Sequence, residues 1–358
     1  MKDSQPPENQ VSSRSRPAVI ILAAGQGKRM KSARPKVLHE LMGRTLLDHV
    51  LHAARFLQPA ILAVVTGSGA SEVEASLAGW PGAVPVRQAE QLGTGHAVLC
   101  AAELLAGFDG PVMVLPGDVP LISPQTLWDL LDAHQALEAD LSCLTVTAED
   151  PAAYGRILRD ENGWLKGIIE ARDASEEERA IREINSGLYV FDCRKLLECL
   201  KELKSDNVQS EYYLTDTAAL FRARGYRAAA VLGPDPEEVQ GINDRLDLAR
   251  AQAVLRRRIN LAWLAAGVTM ADPRTVHIEA SVRLGRDVTL GPGVVLTGAT
   301  RLEAGVTVGP YTCLDNCWAG PDMIIGAHQN LAQALICPQP RSRRRPVRFK
   351  PGRRRSGF

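Results

Sequence analysis

The chain has no Cys-x-x-Cys pair and no apolar run approaching eighteen residues, and aromatic residues make up only 5% of its 358 positions. Its seven cysteines are odd in number and scattered, which argues against a disulfide framework and for reduced thiols. Cys313 and Cys317 lie four apart, with no His or second cysteine pair beside them, so nothing in the pattern calls for zinc. Without a long apolar run there is no candidate membrane span. The opening MKDSQPPENQVSSRSR lacks an apolar h-region and reads as a disordered leader over 1–16, not a signal peptide. A cytoplasmic location is the expectation. Acid is missing from residues 341–358, which hold nine Lys/Arg. The net charge is +1, so the rest of the chain carries about −8. An acidic body makes nucleic acid an unlikely partner, and a basic run of this kind reads as a solvated, disordered end.

What is present is an alternation. Over 17–244 the stretches AVIILAAG, AILAVVTG, PVMVLPGD, DLSCLTVT, SGLYVFD and YRAAAVL are short apolar runs bounded by turn residues, the pattern of buried strands. Helical patterns lie between them. In TLLDHVLHAARFL the apolar positions 46, 47, 50, 51, 54 and 57 share one face. SPQTLWDLLDAHQAL offers Ser123 as N-cap and Pro124 at the first helical position. The alternation predicts an α/β, Rossmann-like domain: a mostly parallel sheet with helices on both faces. Ligands of such sheets bind beyond the C-terminal strand ends, so chemistry is expected just after Leu22 and near Asp118.

Residues 245–265 are rich in Ala, Leu and Arg and free of Gly and Pro. They predict one long linker helix, within a linker over 245–271. After it the period changes to six. Ile278, Leu284, Leu290, Leu296, Leu302, Val308 and Leu314 form one series, and Val276, Val282, Val288, Val294 and Val306 a second. Two registered series predict a short left-handed parallel β-helix of hexapeptide repeats over 272–328. Three hexapeptides make one coil, so two to two and a half coils are visible. The pattern lapses after about Cys317, and 329–358 reads as tail. An end coil without a cap raises a shifted reading frame near codons 318–330 as an explanation.

The loop after the first strand reads Gly25-Gln26-Gly27-Lys28-Arg29-Met30. Met30 stands where a dinucleotide fingerprint needs glycine, and the glycines are too close for a P-loop. A short glycine loop with cations close behind remains, suited to a substrate with several phosphate charges. Pro35 disfavours helix at Arg34 and predicts an extended segment through Lys36. Asp118, ending the strand PVMVLPGD, is either a turn cap or, beside a phosphate cradle, a Mg²⁺ ligand.

Taken in order, LAAGQGKRM, KVLH, QAEQLGTGHA, PGDVPLI, YGRI, IIEARDA, EINSG, QSEYYLTD and GINDRL, together with the six-residue repeat, closely resemble the bacterial bifunctional N-acetylglucosamine-1-phosphate uridylyltransferase/glucosamine-1-phosphate acetyltransferase. The resemblance covers residues 18–317. It implies UTP and N-acetylglucosamine 1-phosphate as substrates, UDP-N-acetylglucosamine and pyrophosphate as products, Mg²⁺ as cofactor, a place in cell-wall precursor synthesis, and a homotrimer. By the same resemblance Leu22, Ala23, Ala24 and Gly25 lie against the nucleotide, and Gln88, Gln91, Gly93 and Thr94 read the uracil. Arg29 and Lys36 are the catalytic cations. Asp118 and Asn243 hold the metal, and Gly155, Glu170, Asn185 and Asn243 surround the sugar. The coils that carry acetyl transfer in that family are not matched, so that activity is not expected here. Lys28 stands where Thr is usual and Pro116 where an aromatic is common. Pro116 leaves open a nucleotidyltransferase for another sugar or base. A polyanion-binding assembly protein acting through the basic tail is the reading from a different class.

Overall fold

The computed structural model describes residues 16–336. The leader up to Ser15 and the chain from Cys337 onward, with the basic run, lie outside the described residues. Two compact units divide the described residues: 16–41 with 45–251, and 42–44 with 252–336.

The first unit is built on a nine-stranded sheet. Its strands are β1 (Ala18–Ala23), β4 (Ile61–Thr66), β5 (Ala83–Arg87), β6 (Pro111–Pro116), β7 (Leu141–Thr147), β8 (Arg156–Arg159), β9 (Leu165–Ile169), β10 (Glu183–Asp192) and β11 (Ala228–Leu232). A two-stranded hairpin, β2 (Glu40–Leu41) and β3 (Arg44–Thr45), stands apart from it. The order is β11-β7-β10-β6-β1-β4-β5. Neighbours are parallel except around β10, which runs against both β6 and β7.

Alternation along β1 divides the core. Val19 and Ile21 face one layer, with Leu47, Val50 and Leu51 of α1 (Leu46–Arg55), Val73 of α2 (Ala70–Ser76) and Leu127, Leu130 and Leu131 of α4 (Pro124–Ala136). Ala18 and Ile20 face the other, with Ala97 and Val98 of α3 (Thr94–Cys100), Leu196 and Leu200 of α6 (Cys193–Leu200) and Phe221 of α7 (Asp216–Ala223). Period-two strands thus bury both faces, as a sheet covered on both sides requires. The cap expected at Ser123 is formed, and a second is found at α1. Thr45 and Asp48 close a capping box at α1, and Ser123 accepts from the Thr126 amide with proline in the first turn of α4.

One local expectation is corrected. Residues Lys36–Leu38 form a single 3-10 turn, not an extended segment. Pro35 keeps helix out of Arg34, but proline's fixed φ suits the residue just before a turn, and Pro35 is the N-cap of this one.

The helix read over 245–265 is α8 (Arg245–Ala265); α5 (Glu176–Arg179) is a single turn earlier in the chain. Beyond α8 the chain winds into a parallel β-helix of three faces, each with four short strands. Its core stacks Val276, Ile278, Val282, Leu290, Val294, Leu296, Leu302, Val306, Val308 and Leu314. The hexapeptide reading of this region holds, but its end is misplaced. Coils stack eighteen residues apart at first, Ile278 on Leu296 and Leu296 on Leu314. From Leu302 on they stack seventeen apart: Leu302 on Ala319, Val308 on Ile325, Leu314 on Leu331 and Ala319 on Ile336. One residue is missing from the corner between Asp315 and Trp318, where Asn316 turns with φ 50, and a second from the corner between Ala332 and Leu335, where Gln333 turns with φ 51. A strict period of six is lost there while the stacking continues. Residues 329–336, read as tail, form the last two strands among the described residues, so the stacking continues past the point where the pattern was expected to lapse.

Candidate active site

The C-terminal ends of β1 and β6, the segment after β5 and the N-terminal part of β10 open on one cavity of about 820 Å³. Because β10 is antiparallel to β6, Asn185, near its N-terminus, reaches the same sheet edge as the carboxyl ends of the parallel strands. That edge is where open α/β sheets bind ligands. All of Leu22, Ala23, Ala24, Gly25, Arg29, Lys36, Gln88, Gln91, Gly93, Thr94, Asp118, Gly155, Glu170, Asn185 and Asn243 line it. No residue expected in the site lies elsewhere.

The glycine loop leaves β1 and turns at Gly27, where φ is +60. A Cβ there would lie 2.7 Å from the Lys36 Cβ, so glycine both permits the left-handed turn and lets Lys36 pass against it. Lys36 is thereby aimed inward. Its ammonium donates to the Asp118 carboxylate and lies 3.4 Å from Asn243 Oδ1. These two oxygens are brought together by backbone. The Gly117 amide donates to Leu22 O at 2.8 Å, and the Ile242 amide to Asp118 O at 2.9 Å. The Asn243 amide donates to Asp247 Oδ2 of α8 at 3.0 Å. A carboxylate and an amide oxygen, converging on a cation already seated between them, are the hard donors that Mg²⁺ takes. The residues fit that ion.

At the rim Lys28 and Arg29 are exposed and make no ion pair among the described residues. Arg29 also borders a smaller pocket of about 290 Å³ with Glu170, Arg172, Gln209 and Tyr213. Two exposed cations beside the glycine loop give this end of the cavity a positive field.

The opposite end is polar and pre-bonded. Asn185 Oδ1 accepts from the Gly187 amide at 2.9 Å and the Tyr189 hydroxyl at 2.9 Å, which leaves its NH₂ as the donor facing a ligand. The Asn185 amide donates to Gly155 O at 2.9 Å. Glu170 accepts from Thr215 Oγ1 at 3.2 Å, and burial raises its carboxyl pKa above the usual range. Burial likewise raises Tyr154, whose hydroxyl accepts from the Gly241 amide at 3.3 Å.

Gln88, Gln91, Gly93 and Thr94 form a wall that the segment 209–214 clamps from behind. Gly95 N donates to Tyr212 O and Tyr212 N to Leu92 O, both at 2.8 Å, and Leu214 N donates to Thr94 Oγ1 at 3.0 Å. Gly93 holds φ +108 against the Tyr212 backbone, 2.6 Å from where its Cβ would stand.

Sequence reasoning missed Gln26, Tyr154, Gly187, Tyr189 and Thr215, which also line the cavity. Gln26, Tyr154 and Gly187 sit inside the ordered motifs, one or two residues from an assigned position, and that adjacency was the available signal; Thr215 lies in QSEYYLTD, where no position had been assigned. Pro116 lines the cavity at the end of β6.

The model of the MobA-like NTP transferase domain matches residues 19–210. Curated relatives named Bifunctional protein GlmU match most of the chain. A Thermus thermophilus protein is 46% identical over 321 residues, 90% of this chain and 70% of that one. The Thermobifida fusca protein is 44% identical over 332 residues, 91% and 68%. The Cutibacterium acnes protein is 47% identical over 301 residues, 82% and 72%. The chain thus spans about two thirds of their length. Among solved structures, a UDP-glucose pyrophosphorylase complexed with UDP-glucose superposes with a TM-score of 0.54 at 19% identity, over 68% of this chain and all of that one; at that identity the likeness speaks to the fold alone.

Proposed function

The chain belongs to the GlmU family of bifunctional proteins and is a nucleotidyltransferase, and from that premise we propose that it joins UTP to N-acetylglucosamine 1-phosphate, giving UDP-N-acetylglucosamine and pyrophosphate. The observation that carries the reading is the gathering of Arg29, Lys36, Asp118 and Asn243 with the glycine loop around one cavity. A sugar-phosphate oxygen attacks the α-phosphorus. The bond from that phosphorus to the β-phosphate bridging oxygen breaks, and pyrophosphate leaves with the electron pair. The nucleophile is already an anion, so no residue need act as a general base; positioning and charge stabilisation suffice.

Leu22–Gly25 and the loop to Gly27 lie against the nucleotide phosphates. Arg29 and Lys36 hold the charge that grows on the leaving pyrophosphate, as fixed positive groups at a developing anion do. Gln88 and its neighbours contact the base, while Gly155, Glu170 and Asn185 hold the sugar. Asp118 and Asn243 would hold Mg²⁺, which when bound supplies charge neutralisation between two polyanionic substrates. Asn243 also borders the sugar phosphate. Only the uridylyl transfer of the family's two activities is proposed for this chain.

Pyrophosphate release tests the reading, with UTP, CTP and dTTP set against N-acetylglucosamine 1-phosphate and glucose 1-phosphate, with and without Mg²⁺. The highest rate is expected for UTP with N-acetylglucosamine 1-phosphate and Mg²⁺. Preference for another pair would favour the alternative that Pro116 at the cavity wall leaves open. Asp118→Ala is expected to cut turnover by about a hundredfold or more, the order seen when an electrostatic stabiliser is lost. Near-normal release by that variant refutes the metal role.

A further inference from the structure

His96 does not line the cavity, yet it bears on the residue that closes the base wall. Gln88 is 3% exposed. Its Nε2 donates to Gly93 O at 3.0 Å and lies 3.1 Å from His96 Nδ1. A backbone carbonyl is only ever an acceptor, so the Gln88 atom beside Gly93 O is the NH₂ group. Its second hydrogen then goes to His96 Nδ1, which has to be the unprotonated ring nitrogen. His96 Nε2 lies 3.9 Å from Cys100 Sγ, within hydrogen-bond reach of sulfur. The ring is braced against Tyr212, with centroids 6.5 Å apart. Both donor hydrogens of Gln88 are therefore used inside the protein. Its Oε1 takes no donor from the described residues and is not sealed from solvent.

We propose that His96 is a positioning residue for nucleobase choice: with Gly93 it fixes the Gln88 amide so that only an acceptor faces the cavity. The inference rests on the reading that Gln88 contacts the base. A uracil edge presents an N3–H donor, which an amide oxygen accepts. Cytosine presents an N3 acceptor at the same place and needs the amide's NH₂. Turning the amide to greet cytosine would set Oε1 against the Gly93 oxygen, a repulsion nothing can relieve, and against the His96 lone pair, which only a switch of the ring tautomer at the cost of its Cys100 contact relieves, in place of two hydrogen bonds. Specificity arises here by penalising the wrong base as well as by pairing the right one. Removing His96 leaves Gly93 alone to hold the amide.

The test is the ratio of kcat/KM for UTP to that for CTP, measured on the full chain with His96→Leu, His96→Asn and Gln88→Leu. His96→Leu is expected to lower the ratio about tenfold, the weight of one net hydrogen bond. His96→Asn, whose side-chain oxygen can stand where Nδ1 accepts, is expected to stay within about threefold of the unaltered protein. If His96→Leu does not fold, His96→Ala replaces it with the same expectation. An equal fall for both nucleotides in His96→Leu marks a merely structural residue and overturns the proposal, as does an unchanged ratio. Gln88→Leu separates the two levels. If it leaves the ratio unchanged, the reading of Gln88 as base contact fails. If it changes the ratio while His96→Leu does not, only the role of His96 fails.

Discussion

At the scale of single residues, the polar atoms of the site are mostly committed to partners before any ligand arrives, and one of them carries a cost. Glu170 is largely buried and its pKa is raised, first by desolvation and then opposed by the hydrogen bond from Thr215. A raised carboxyl pKa means that the folded state holds its proton more tightly than the unfolded chain. Its stabilising effect is complete below the unfolded value near 4.5 and is lost as pH rises through the folded value. At neutral pH the ionised group therefore costs stability. Glu170→Gln is expected to raise the unfolding free energy of ligand-free protein at pH 7.5, read by urea titration, by about 1 kcal/mol. The gain should shrink toward zero below about pH 4.5. The same variant is expected to lower kcat/KM for the sugar phosphate about tenfold to a hundredfold, the weight of a hydrogen bond to a charged group. A variant that is no more stable at pH 7.5 would mean that the buried charge is compensated in the native state. The expectations for Asp118 and Glu170 as ligand contacts came from ordered motifs. The link from His96 to Gln88 could not come from them, because which amide atom faces which neighbour is decided by a carbonyl five residues on at Gly93 and by the backbone turn that aims it.

At the scale of elements, alternation and period recovered most of the fold, and the failures have physical causes. Strands β5, β8 and β9 were not read. β5 is an edge strand of the sheet, reading AVPVR with only two residues partly buried, and a proline inside a short run argues against a central strand. The β-helix was read short because one residue is missing from the coil after Leu314, and a pattern of strict period six does not survive that. The Val series also breaks at 300 and 312, where threonine stands. Both threonines are fully buried. Thr300 Oγ1 donates to Thr297 O at 2.7 Å and accepts from the Cys317 amide at 3.2 Å. Thr312 Oγ1 does the same with Gly326 O at 2.7 Å and the Gln329 amide at 3.2 Å. Each hydroxyl thus serves an amide seventeen residues ahead, in the coils that follow the missing residue. A buried amide left without an acceptor costs about 1 to 3 kcal/mol. Thr300→Val keeps the volume and removes that acceptor, and is expected to lower stability by this amount. An unchanged urea midpoint would show that water or a backbone carbonyl takes the Cys317 amide instead.

At the scale of the whole molecule, two compact units each hold their own core, and every residue lining the cavity belongs to one of them. Helix α8 passes from one unit to the other between Ala251 and Gln252. The sequence showed the helix plainly, since twenty-one residues free of Gly and Pro mark it, but no composition change marks the point within it where one core ends. A ligand that binds only the native site stabilises by mass action, about 2.7 kcal/mol at a hundred times its dissociation constant. A unit of this size gains roughly 2 to 4 °C for each kcal/mol. Calorimetry with Mg²⁺ and UTP is therefore expected to move the unfolding of the nucleotidyltransferase unit up by about 5 to 10 °C. Thr300→Val is expected to lower a separate transition, that of the β-helix, which Mg²⁺ and UTP leave in place. Multi-domain chains commonly depart from two-state behaviour in this way. If ligand and mutation instead shift one shared transition, the two cores unfold as a single cooperative body.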